Sequence, residues 1–143
     1  MRAAYPLVAA IHSTALELDW RRWSDESGDD EAVPHVEKNL DAFYERMERL
    51  RSLLGDRDTR LHVMAPYRDK EAIENSLACD LAELDEDLRN GLTFADAGDL
   101  RAAEANWSMK FEIHWGSHLV WAFLPLHSWW QDLLSVSLKR QSV

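Results

Sequence analysis

A chain of 143 residues is the size of one domain, and an apolar share of 46% with 29% charged residues excludes a disordered or fibrous class. A formal net charge of −10 argues against nucleic acid as a ligand, because phosphate backbones are held by Lys and Arg. Cys79 is the only cysteine, which excludes an intrachain disulfide and a thiolate metal cage and suits a reducing compartment.

The first expected element is a helix that runs out near Trp23. Pro6 suits its first turn, and Val8, Ile11, Ala15 and Leu18 form its apolar stripe. It reads as a helix and not as a signal peptide, since His12, Glu17 and Asp19 follow the apolar stretch with no clear cleavage site. Residues 24–33 are polar, with five acids between Asp25 and Glu31, and predict a loop. Pro34 is expected to open a second helix carrying Val36, Leu40, Phe43, Met47, Leu50 and Leu54 on one side, with Gly55 as its stop. Leu61, Val63 and Ala65 alternate, but Pro66 cuts the run short, so 60–67 is expected to be an extended connector and not a sheet strand. Asp69 is placed as the cap of a third helix that carries Ile73, Leu77, Leu81, Leu84, Leu88, Leu92 and Ala95 and ends at Gly98. Asp99 then caps a fourth, from Leu100 to about Leu134.

Four helices with mostly short connections predict an all-α fold, a single-domain antiparallel bundle over residues 1–143. Its core spans about 5–134, with a short flexible C-terminal tail. The Ala97-Gly98-Asp99 turn looks like a tetratricopeptide hairpin, but a solenoid needs several stacked repeats and one copy is visible. Leu119 to Leu126, the longest apolar run, is far too short to span a bilayer, so cytoplasmic is the default location. Seven Trp call for burial or an interface. Up to Phe111 the fourth helix has one stripe, Leu100, Ala103, Trp107 and Phe111. Beyond it the helix is apolar on nearly every side, as in a central helix or one shared with another subunit. Pro125 lacks an N–H and crowds the carbonyl of Trp121, which predicts a kink or break. Trp129 and Trp130 just after it form an apolar patch suited to homodimerisation.

Chemistry concentrates on the fourth helix. His114 and His118 are four apart and share one helical face at roughly 6 Å, the spacing with which two imidazoles chelate a metal. The match to the zincin helix stops there, because Trp115 fills the place of the general base and Glu112 points well away from His114. A third ligand has to come from the third helix, where Asp80 leads and Glu83 and Asp87 follow. The preferred reading is a buried polar network drawn from Glu112, His114, Trp115, His118, Asp80, Asp87 and His127, in which the two histidines continue the inward stripe of Trp107 and Phe111. His127 lies too far along the helix to join the pair itself. Asp80, beside an apolar stripe, has to be paired and is expected to meet His114 or His118. Gly116 is expected to admit a neighbouring helix, or else to open the backbone to a ligand. Cys79, between acids and leucines, should have a raised pKa and little reactivity.

Residues 71–99 carry nine acids against Arg89 alone, a net of −8. Such a run is usually a solvated face; the sharper reading makes Glu83, Asp85 and Glu86 a surface that attracts a basic partner. The segment Phe111-Glu112-x-His114-Trp115-Gly116-x-His118, with His127 downstream, carries a family resemblance. Ser76-Leu77-Ala78-x-Asp80-Leu81-Ala82, Asp87-Leu88, Gly91-Leu92 and the Ala97-Gly98 turn before Trp107 support it. From about residue 5 to Trp129 the chain resembles a bacterial family, domain-of-unknown-function family 5063. The resemblance implies an all-helical fold and supplies no established activity. Asp85 stands where that family commonly has an aromatic residue, and Pro125 interrupts the stretch leading to His127. The leading functional reading is a non-enzymatic protein-binding module without a cofactor, in one form an immunity or antitoxin-type inhibitor of a basic partner. The alternative is an enzyme or sensor that holds a divalent metal on His114 and His118 with a carboxylate from the third helix.

Overall fold

The computed structural model describes residues 4–16, 36–63, 68 and 71–141. The expected loop at 24–33, Leu18, Trp23, Pro34 and Asp69 lie outside these. Helix α1 spans Ala4–Ala15, with Val8 and Ala15 buried. Helix α2 spans Leu40–Leu54. Its first turn is capped by Asn39, whose side chain accepts from the Ala42 amide, and it stops at Gly55, whose φ of 56° only glycine adopts without strain. Val36 therefore precedes the helix.

The stretch expected to be an unpaired connector is a strand. Strand β1, Thr59–His62, pairs antiparallel with β2, Ile73–Ser76, in the register Thr59↔Ser76 to His62↔Ile73. Of the alternating residues only Leu61 lies within the strand, where it is exposed, and the partner strand begins at Ile73, a residue of the expected helical stripe. Helix α3 consequently starts at Leu77, and Ser76 is its cap, accepting from the Cys79 amide. Buried Asp58 completes that end: its carboxylate accepts from the Ala78 amide at 2.7 Å and from the Ser76 hydroxyl, satisfying donors that the first turn leaves free.

Helix α3, Leu77–Asp96, packs against α2, against α4 (Leu100–Lys110) and against α5 (Gly116–Gln141), while α1 packs on α5. It is the central helix of a four-helix bundle. Gly98, with φ 84°, turns the chain, and Asp99 caps α4 by accepting from the Ala102 amide. The α3–α4 hairpin is closed by Trp107, which donates from its indole to the Leu88 carbonyl at 3.0 Å. Gly91 makes room for it, since a Cβ there would lie 2.0 Å from the indole nitrogen.

Between α4 and α5, Phe111–Trp115 forms one π-helical turn, so Leu100 to Gln141 is a single long helix. The helix runs on through Pro125 without a break; its irregular turn lies ten residues earlier. The core gathers Val8, Leu54, Leu77, Leu84, Trp115, Leu119 and Leu126 from all four helices. Among the described residues, no helix is long and apolar enough to cross a membrane.

Candidate functional site

The π turn decides which side chains of the last helix face inward. In α4 the buried positions include Ala102 and Asn106, and a regular helix would bring residues 110 and 113 round next. Ile113 is instead 69% exposed, and Trp115 is 1% exposed. One extra residue in the turn has advanced the phase, and the inward stripe continues as Trp115, Leu119, Ala122 and Leu126. Of the expected stripe, Ala103 is buried and Phe111 packs partly on the core, whereas Leu100 is exposed. The histidines are thereby turned from the core to its border. The His114 side chain is 44% exposed and that of His118 17%.

Gly116 is explained by the same turn. Its amide donates to the Phe111 carbonyl, and a Cβ at 116 would lie 2.2 Å from that oxygen. Neither a neighbouring helix nor a ligand accounts for this glycine. Trp115 anchors the turn, packing on Phe111 with ring centres 4.7 Å apart and donating from its indole to the Trp107 carbonyl at 3.1 Å. It is a structural anchor and not a member of the polar cluster.

At the border, two histidine–aspartate pairs stand side by side. His114 Nδ1 lies 2.5 Å from an oxygen of Asp87, and His118 Nδ1 lies 2.9 Å from an oxygen of Asp80. Both acids come from α3, seven residues apart on one face, and both are almost fully buried. Each has its own cation. Lys110 donates to Asp87 at 2.7 Å from one turn ahead of His114. Arg60, on β1, donates from Nη2 to Asp80 and also to the Trp121 carbonyl. Asn75, on β2, donates to Asp80 at 3.4 Å. Asp80 and Asp87 are thus each shared between an imidazole and a basic side chain.

A carboxylate accepts, so each ring donates from Nδ1. The ring centres of His114 and His118 are 4.9 Å apart. His118 in turn meets Trp121 edge-on at 5.2 Å, and Trp121 meets His62 at 5.2 Å, which makes a continuous run of four rings. Among the described residues, buried Nε and Nη1 of Arg60 and Nε2 of His62 find no hydrogen-bond partner.

The structure thus brings together His114, His118, Asp80 and Asp87 from the residues singled out in sequence. It leaves others apart. Asp80 is not placed as a metal ligand: it lies behind His118, on Nδ1. Among the described residues no third His, Cys, Asp or Glu joins the pair to hold a metal. Glu112 is exposed. His127 is nine residues past His118, about 13 Å along the axis, and stacks on Phe123. The acids Glu83, Asp85 and Glu86 do not form an open acidic face. Glu83 pairs with Lys38, Asp85 with Arg46 and Arg89, and Glu86 with Arg46. Trp129 packs partly on the core, with the Arg57 guanidinium 4.7 Å over its ring, and Trp130 is half-buried. Burial, with Glu83 and Asp80 close by, pushes the Cys79 thiol above its ordinary value.

Arg60, Lys110, Asn75 and Trp121 were not anticipated. Lys110 had a readable signal, since it stands four residues before His114 on the same helical face. Arg60 and Asn75 had none, because the hairpin that delivers them is a non-local pairing.

The family model for a domain of unknown function (DUF5063) matches residues 3–131, so the chain belongs to that family. No curated protein and no solved structure matches the chain.

Proposed function

We propose that the protein binds a divalent transition metal through Nε2 of His114 and Nε2 of His118, as a metal-dependent catalyst or sensor. The observation that carries this reading is the shared orientation of the two rings. Each is held through Nδ1 by a buried carboxylate, the arrangement that orients and enriches a metal-binding imidazole. The rings are also spaced for it. Two imidazoles bound to one tetrahedral ion through nitrogens at about 2.0–2.1 Å have centres roughly 5 Å apart; here they are 4.9 Å apart. A π turn within the motif adds support, because such turns recur at functional sites.

The test is titration of metal-free protein with Co2+, followed by its visible absorption. Wild type should bind one equivalent saturably, and His118→Ala should not. Absence of saturable binding, or binding that survives both His114→Ala and His118→Ala, overturns the reading.

The protein-docking reading has a different observation in its favour. An apolar groove of about 420 Å³ lies between α1, α2 and α3, lined by Leu7, Ile11, Leu50, Leu53, Leu81 and Leu88 among others, with Leu7 and Leu53 more than half exposed. A basic partner directed at Glu83, Asp85 and Glu86 would compete with Lys38, Arg46 and Arg89 for the same carboxylates.

A further inference from the structure

We infer that the groove between α1, α2 and α3 binds a single amphipathic carboxylate, an anion with an unbranched hydrocarbon tail of medium length. The groove shares no residue with the histidine centre and is independent of the metal reading. Its volume of about 420 Å³ falls in the range of small-ligand pockets, about 300–1,000 Å³. The walls are apolar, with Leu7 and Ile11 from α1, Leu50 and Leu53 from α2, and Leu81 from α3. Leu7 is 61% exposed and Leu53 68%, so a hydrocarbon laid between them takes apolar surface out of water.

The charged lining is Arg46 and Arg49 of α2 with Asp85 and Arg89 of α3. Helices α2 and α3 run antiparallel. Asp58, just past the end of α2, caps the first turn of α3, while Arg46 reaches Asp85 and Glu86 farther along it. On α2 both arginines precede Leu50 and Leu53, and on α3 Asp85 and Arg89 follow Leu81, with Leu88 between them. The four charges therefore gather toward one end of the groove, with Leu53 and Leu81 toward the other. Arg46 and Leu53 stand about 10 Å apart along the helix axis. A protein interface surrounds an apolar centre with a polar rim; a charged end and an apolar end suit a ligand with a head and a tail.

The sign of the head follows from the side chains at that end. Arg46 and Arg89 share Asp85, at 3.1 and 2.8 Å, and Arg46 also meets Glu86. Arg49, exposed, stands one turn along from Arg46. Three guanidiniums against two carboxylates leave a positive excess here, in a chain whose formal net charge is −10. The planar guanidinium fork matches a carboxylate.

Titration calorimetry of the full chain with decanoate, 1-decanol and decylamine tests this. Decanoate should bind saturably at one equivalent, at least about tenfold tighter than the other two, the order of one charge-assisted hydrogen bond. Leu53→Asp, at an exposed position, should abolish decanoate binding. The double variant Arg49→Gln, Arg89→Gln should weaken decanoate about tenfold and leave 1-decanol unchanged, with a circular dichroism spectrum like wild type. Absence of saturable decanoate binding, equal affinity for all three ligands, or binding that survives Leu53→Asp overturns the inference. So does equal weakening of decanoate and 1-decanol in the double variant. A dimer mass in light scattering that reverts to monomer in Leu53→Asp assigns the groove to a second copy of the chain and overturns it as well.

Discussion

Replacing Asp80 with Ala should be among the most destabilising single changes in the protein. Asp80 is 1% exposed and accepts from Arg60, His118 and Asn75. Its removal strands a guanidinium whose side chain is 14% exposed and whose Nε and Nη1 find no acceptor among the described residues. Stripping one partner from a buried ion pair costs about 3–5 kcal/mol, because the other charge stays buried without compensation. A small domain has roughly 5–15 kcal/mol in all. At about 3 °C per kcal/mol for a chain of this size, Tm should fall by roughly 10–15 °C. Thermal unfolding followed by circular dichroism at 222 nm measures this, with urea titrations to check that the m-value is unchanged. A double-mutant cycle isolates the pair: Arg60→Ala should cost far less in the Asp80→Ala background than in wild type. A Tm loss under about 3 °C, or additive single effects, would refute the claim that this pair is a coupled buried unit.

The remaining predictions concern the π turn and the thiol. Gly116→Ala places a methyl against the Phe111 carbonyl and should either collapse the π turn or destabilise the fold by about 2 kcal/mol or more. Because the turn sets the facing of His114 and His118, Co2+ affinity should fall with it; a variant with wild-type Tm and affinity would show that the turn is not required. Cys79 has a raised pKa, chiefly through burial and then through Glu83 and Asp80, so alkylation by iodoacetamide at pH 8 should be slower in the folded protein than in urea. The folded state holds the thiol proton more tightly than the unfolded chain. The resulting stability is present below the ordinary value of 9.0 and is lost as pH rises past it. Urea titrations at pH 7.5 and 10 should show that loss in wild type and a smaller one in Cys79→Ala.

Local signals gave the bundle its legible parts. Gly55 and Gly98 end helices at positive φ, and Asp99 caps where a capping residue was expected. The hairpin was lost because Ile73 falls in register with the leucine stripe of α3, and helical periodicity outweighed a four-residue strand whose partner lies across a loop. The same loss hid Arg60 and Asn75. Half of the histidine centre was readable all the same. Spacing of four put His114 and His118 on one face, and a carboxylate on an apolar stripe required a partner, which singled out Asp80. The second pair, His114 with Asp87, follows from the first once α3 and the last helix are side by side, since Asp87 shares a face with Asp80 and His114 with His118.

That rephasing carries the functional weight. In a regular helix Ile113 would continue the inward stripe of α4, while Trp115 would be turned toward solvent. The extra residue exchanges those roles: Trp115 fills the core, Ile113 faces outward, and the two imidazoles come to rest at the border, close enough to α3 to be held by Asp87 and Asp80, with His114 half-exposed. Stability alone does not call for this arrangement. Well-packed apolar side chains in place of the whole set of Asp80, Asp87, Arg60 and the two histidines would avoid burying these charges, and replacements of that kind are often neutral or stabilising. The fold instead keeps a π turn that only glycine at 116 admits, together with two buried acids whose cations come from separate elements. Two adjacent imidazoles, each held by a buried carboxylate at the border of the core, are the feature on which the proposed binding centre rests.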